Sequence, residues 1–203
     1  GQGLWQVLPL GPTGFGDSPY QSPSSFAGAP QLLSLATLRD EGLLAADELA
    51  PLHDLPRTRA DFARAVQQRE ALLRRAARRL AQSATPAAQA ELARFREQQR
   101  DWLDDWALFD ALKQAHQGRA WSEWPAPLRD RDDAALVRAR EELGDQIAQA
   151  TALQFLFERQ WRAVRARARA LGIRIVGDLP IFVAHDSADV WQRRELFHLD
   201  GEG

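Results

Sequence analysis

Two short stretches hold the side chains best placed to bind a polar substrate. Asp178 directly follows a β-branched run in IRIVGDLP, and Ser18 and Tyr20 lie on the loop GPTGFGDSPYQ near the N-terminus. Polar residues at the C-terminal ends of parallel strands are where barrels of alternating strands and helices build their sites. A carboxylate there accepts hydrogen bonds from hydroxyls. Tyr20 offers a face for stacking and a hydroxyl for hydrogen bonding. Each residue also has a purely structural reading: Asp178 as a turn residue with Pro180, Tyr20 as the anchor of its own loop. Position alone leaves both readings open. His185-Asp186 has the chemistry for acid–base or metal work. However, His53, His116 and His198 stand at no ligand spacing, and His185-Asp186 reads as a turn. GPTGFG lacks the Lys-Ser/Thr of a phosphate loop, and its glycines do not fit the dinucleotide fingerprint.

Composition narrows the class. The chain has 203 residues, 45% of them hydrophobic and 27% charged, with a formal net charge of −2. These are ordinary globular values, and they give no reason to expect nucleic acid or an anionic membrane as a partner. With no cysteine, disulfides and thiolate metal sites are excluded. No apolar run approaches the length of a membrane span, and the N-terminus GQGLW has no basic region of a secretory leader. The expected compartment is cytoplasmic. The chain contains no methionine, and Lys113 is its sole lysine among 26 basic residues. A strand almost at residue 1 and a polar end, HLDGEG, are expected of a piece of a longer polypeptide.

The elements that must position these residues follow from pattern. Leu4–Leu10 reads as a short, mostly buried strand stopped by Pro9 and Gly11. Residues 11–30 read as a long loop, and Phe15, Tyr20 and Phe26 argue that it is ordered. Helical periodicity then dominates. One helix is expected over Thr58–Gln82. A second starts at Pro86, with Thr85 as its cap, and ends before Gly118. A third is capped by Asp132 or Asp133 and broken at Gly144, and a last long one runs from Asp145 to Leu171. Gly172 ends that helix and Ile173–Val176 reads as a second strand. The arrangement is α/β, with a crossover long enough for parallel pairing.

Two stretches carry a family resemblance. LWQVLPLGPTGFGDSPYQSPSSFAGAP (Leu4–Pro30) and GIRIVGDLPIFVAHDSADVWQRRELFHLD (Gly172–Asp200) resemble, in the same order, two signatures of the 4-α-glucanotransferases known as amylomaltases or disproportionating enzymes. The resemblance implies a partial (β/α)₈ TIM barrel of the α-amylase superfamily with a large, mostly helical inserted subdomain. Residues 1–30 would be a barrel strand and substrate-rim loop, 31–145 the helical insertion, and 146–203 a barrel helix, strand and following loop. It further implies transfer of a 1,4-α-glucan segment to the 4-hydroxyl of an acceptor glucan or glucose, by a retaining double displacement that needs two carboxyl groups. It implies maltooligosaccharides or starch-type glucans as partners, and no cofactor or metal. The motifs that hold the family's nucleophile and acid/base are not found in this sequence, so no catalytic residue is assigned here. The substrate-binding residues carried over are Asp178, Tyr20 and, from the same loop, Ser18. Ala29 stands where the family usually has Asn, removing a side chain that could hydrogen-bond the loop. The alternatives are another α-amylase-type hydrolase, or a non-catalytic helical interaction module that binds partners through Trp121–Trp124.

Overall fold

The computed structural model describes residues 1–56, 58–59, 61–83 and 85–200, without the side chains of residues 51, 53, 54 and 83. The His53 side chain and the end of the terminal turn, Gly201–Gly203, lie outside the described residues. The order is β1 (Leu4–Gln6), α1 (Leu35–Asp40), α2 (Phe62–Ser83), α3 (Pro86–Ala115), α4 (Ala126–Arg129), α5 (Asp133–Glu142), α6 (Gly144–Ala170), β2 (Arg174–Val176) and α7 (Ala188–Gln192), with short 3-10 turns between them.

The helix ends obey local rules. The Thr85 hydroxyl accepts from the Ala88 N–H with Pro86 in the first turn, and the Asp132 carboxylate accepts from the Ala135 N–H at 2.9 Å. Both satisfy donors that a helix start leaves orphaned. α6 stops at Gly172, whose φ of +69° suits a residue without a Cβ. The Ile173 N–H then reaches back to the Ala168 carbonyl at 2.9 Å, closing the helix in a Schellman-type turn and aiming the chain into β2. α2 begins at Phe62 rather than at Thr58. The Asp61 carboxylate accepts from the Arg64 N–H at 3.3 Å and so marks the helix start.

β1 and β2 pair in parallel, with Trp5 opposite Ile175. The β–helices–β order therefore closes as expected, but β1 is shorter than Leu4–Leu10 and it is not buried. Its last ladder bond runs from the Val7 N–H to the Val176 carbonyl at 2.9 Å, and Pro9 has no N–H to extend it. Leu4 and Trp5 are exposed, because α6 lies on only one side of the pair. A groove of about 830 Å³ runs along it, lined by Val7, Leu10, Trp161, Arg165 and Ile175 among others.

The core lies instead where α2 and α3 pack on α6. Leu73, Ala76 and Ala77 of α2, Leu103, Phe109 and Leu112 of α3, and Ala152 and Leu156 of α6 are buried together. Each Leu or Phe removed from water is worth about 1.5–3 kcal/mol. An aromatic group closes one end of this core. Phe109 meets Trp124 at 5.5 Å and Trp191 at 5.8 Å between ring centroids. Trp121, Trp124 and Trp191 donate their indole N–H groups to the carbonyls of His185, Arg119 and Leu128, as buried tryptophans require. This removes the exposed aromatic surface on which the interaction-module reading depended: Trp121 is 0% and Trp124 3% exposed.

The arginine-rich face of α2 is organised around one carboxylate. Glu48 accepts from Arg79 at 2.7 and 3.0 Å, from Arg75 at 2.6 Å and from the Ala45 N–H at 2.7 Å. The Arg79 hydrogen bonds, then that of the Ala45 N–H, hold its carboxyl down at about 2, against an ordinary 4.5. A depressed carboxylate stabilises the fold above its unfolded pKa and loses that contribution as pH falls toward its folded one. Stability should therefore drop between pH 4.5 and about 2. Glu48→Gln should flatten that part of the profile, with parent and variant melting temperatures converging at the acid end and differing most at neutral pH.

Candidate functional site

The N-terminal loop is built by tight closures. The Gly14 N–H donates to the Ser18 carbonyl at 3.1 Å, and the Gln21 N–H donates to the same oxygen at 3.2 Å. A Cβ on Gly14 would sit 1.8 Å from the Gln21 carbonyl oxygen, so only glycine admits this approach. The Ser18 hydroxyl accepts from the Tyr20 N–H at 3.3 Å and caps the single turn Pro19–Gln21. Ser18 thus shapes the turn that presents Tyr20.

Tyr20 and Asp178, 158 residues apart, meet: the phenol O–H donates to Asp178 Oδ2 at 2.7 Å. This contact exists because β1 and β2 are parallel neighbours, so the segments after both strands emerge at one end. The hydrogen bond to Asp178, more than desolvation or charge, raises the Tyr20 pKa above its ordinary value. The phenol therefore stays protonated through neutral pH and remains a donor. Among the described residues, none donates to Asp178 Oδ1. The pair thus forms an exposed rim with an open carboxylate oxygen, phenol lone pairs and a ring face, a set suited to hydroxyl-rich ligands. All three residues expected from the sequence are brought together here.

Three acids in the segment after Asp178 have contacts of their own. Asp186 accepts from Lys113 Nζ at 2.6 Å and from the Trp121 N–H at 3.2 Å, while the His185 ring stacks on Trp121 at 5.2 Å. Asp189 Oδ2 accepts from the Ser25 N–H at 2.9 Å. Glu195 lies 3.7 Å from Arg193. His185-Asp186 is therefore a structural knot joining α3, the Trp121 turn and the segment after Asp178, in keeping with its reading as a turn.

Sequence reasoning missed two residues beneath the rim. Gln154 on α6 accepts from the Gly28 N–H at 2.8 Å and donates to the Gly28 carbonyl at 3.0 Å. Gln160 does the same for Ser34, at 2.7 and 3.3 Å. The signal for Gln154 was a polar residue inside the apolar run ALQFLF, where it is only 3% exposed. A buried amide needs partners, and a peptide group supplies matching ones.

The sequence profile of the 4-alpha-glucanotransferase family matches residues 1–203. The chain belongs to the 4-alpha-glucanotransferase family. It is 48% identical over 199 residues to the 4-alpha-glucanotransferase of Thermus thermophilus, a match covering 98% of this chain and 39% of that protein. The enzyme of the same name from Synechocystis sp. is 42% identical over 201 residues, covering 99% and 40%. The chloroplastic/amyloplastic 4-alpha-glucanotransferase of Solanum tuberosum is 39% identical, covering 100% and 36%. Among solved structures, the amylomaltase from Streptococcus agalactiae in complex with acarbose superposes with a TM-score of 0.88 at 33% identity, over 98% of this chain and 40% of that one. The chain thus spans about two fifths of the length of these 4-alpha-glucanotransferases.

Proposed function

We propose that this chain forms the substrate-holding part of a 4-α-glucanotransferase, with Asp178 and Tyr20 gripping one sugar of a maltooligosaccharide or starch-type glucan next to the bond that is exchanged. The observation that carries the reading is the Tyr20–Asp178 contact at 2.7 Å inside a chain matched end to end by the family. Asp178 would accept from sugar hydroxyls and Tyr20 would lie against the ring, while Ser18 holds the turn beneath it. The described helices include none long and apolar enough to cross a membrane.

In this reading β1 and β2 are neighbouring strands of a (β/α)₈ barrel, α6 is the barrel helix between them, and residues 31–145 are an inserted helical subdomain. The exposed apolar residues Leu4, Trp5, Leu179 and Ile181 and the open groove beside the strand pair are what a partial barrel would present. The reaction is a retaining double displacement, in which an acceptor sugar outcompetes water at a covalent glycosyl intermediate. Its nucleophile and acid/base lie outside this chain. The hydrogen-bonded engagement of Asp186 and Asp189 supports that assignment.

The polypeptide that carries these residues should convert maltotriose into glucose and longer glucans. Glucose and maltose without longer products would replace transfer with hydrolysis. The 203-residue chain by itself should release no glucose from maltotriose, and measurable release would overturn the assignment of the carboxylates elsewhere.

A further inference from the structure

The Tyr20 loop hangs from a strap, residues 22–34, that is held along its length. Ser22 Oγ donates to the Ser24 carbonyl at 2.7 Å, and Ser24 Oγ accepts from the N–H groups of Phe26 and Ala27 at 3.1 and 3.2 Å. Both serines are buried. The Ala29 N–H donates to the Leu10 carbonyl at 2.7 Å, tying the strap to the segment after β1.

Two outside elements then clamp it. On the α7 side, the Ala188 N–H donates to the Pro23 carbonyl at 2.8 Å, and Asp189 Oδ2 accepts from the Ser25 N–H at 2.9 Å. On the α6 side, Gln154 and Gln160 each grip both polar groups of one residue, Gly28 and Ser34. The offset between partners is 126 residues in both cases, so strap and helix advance together. Between the two glutamines, the Phe157 ring lies against Gly28, where a Cβ would come within 2.1 Å of Cδ1. Side-chain amides in this role replace the water that loop peptides otherwise need.

α6 leads into the strand that Asp178 follows, and α7 closes the segment after Asp178. The same two elements that place Asp178 therefore also seat the strap that carries Tyr20. We propose that Gln154 and Asp189 are positioning residues that lock the Ser22–Ser34 strap to α6 and α7 and thereby hold the Tyr20 hydroxyl on the Asp178 carboxylate. The inference rests on the reading of this pair as a sugar grip, but the clamp itself is tested without sugar or catalysis.

The chain contains one tyrosine, so 3-fluorotyrosine incorporation gives one ¹⁹F resonance that reports Tyr20 alone. In the parent chain its ionisation midpoint should lie above that of free 3-fluorotyrosine, and Asp178→Asn should bring it down. Gln154→Leu should lower the midpoint as far as Asp178→Asn does, with helical circular dichroism unchanged. An unchanged midpoint in a folded Gln154→Leu variant would overturn the proposal, as would a parent midpoint equal to that of the free amino acid. If Gln154→Leu loses its helical signal, Asp189→Ala decides in its place by the same criteria, because the Asp189 contact lies at the strap's other clamp. A lowered midpoint together with failed maltotriose transfer by the parent polypeptide would uphold the clamp while rejecting the glucan reading.

Discussion

Asp178→Asn in the polypeptide carrying this chain is expected to lower kcat/KM for maltotriose transfer about a hundredfold. The carboxylate sits on the rim with Oδ2 engaged by Tyr20 and Oδ1 directed to no described donor. A charged acceptor that hydrogen-bonds a substrate is worth about 1.5–3 kcal/mol per contact, and a sugar beside the reacting bond can engage it through more than one hydroxyl. Asparagine keeps the shape but removes the charge and turns one acceptor into a donor, facing a sugar hydroxyl or the Tyr20 O–H. The loss should fall on kcat as well as KM, because in the proposed reading the sugar held there is the one that distorts on the way to the transition state. Tyr20→Phe keeps the ring that is proposed to lie against the sugar and loses only the hydroxyl, so about a tenfold loss is expected. Product quantification from maltotriose under initial-rate conditions checks both. An Asp178→Asn enzyme with parental kcat/KM would remove Asp178 from the substrate site.

The largest expected effect on stability is that of Trp121→Ala. Trp121 is 0% exposed. One face stacks on the His185 ring at 5.2 Å, and the Arg194 guanidinium lies 4.4 Å from the ring centroid. Its indole N–H donates to the His185 carbonyl at 2.7 Å and its backbone N–H donates to Asp186. Truncating a buried aromatic costs about 3–5 kcal/mol, and the His185 carbonyl is left without this donor. That is a large share of the 5–15 kcal/mol that typically holds a domain together. Denaturant titration followed by circular dichroism should show the transition midpoint fall with an unchanged slope. Trp121→Phe, which retains most of the ring volume but not the N–H, should cost about 1–2 kcal/mol. A Trp121→Ala variant within 1 kcal/mol of the parent would mean that the knot between the helical region and the segment after Asp178 contributes little.

Much of the local structure was legible because its causes are local. Thr85-Pro86 and Asp132 announce helix starts through side-chain oxygens that cap N–H groups. Gly172 announces a helix end through its positive φ. Leu72, Leu73 and Leu80, and Phe95, Trp106 and Phe109, recur at helical spacing and lie in the core. Phe62 and Val66 have the same spacing but lie exposed near the start of α2. Apolar spacing defines a face, and only a neighbouring element decides whether that face is covered. The same reason explains β1, whose composition reads as buried while Leu4 and Trp5 face open space.

The site divides along the same line. The two rim segments and their residue types are legible along the chain: a carboxylate after one strand, and a serine and a tyrosine after the other. The helical stretch between the two strands also makes a crossover long enough for parallel pairing, and the structure shows that pairing. Folding alone brings the Tyr20 hydroxyl onto Asp178, Asp189 and Gln154 onto the strap, and Asp186 to Trp121 and Lys113. Those contacts join residues 65 to 164 positions apart. Their partners are backbone groups and single side-chain atoms, whose pairing leaves no periodic trace along the chain.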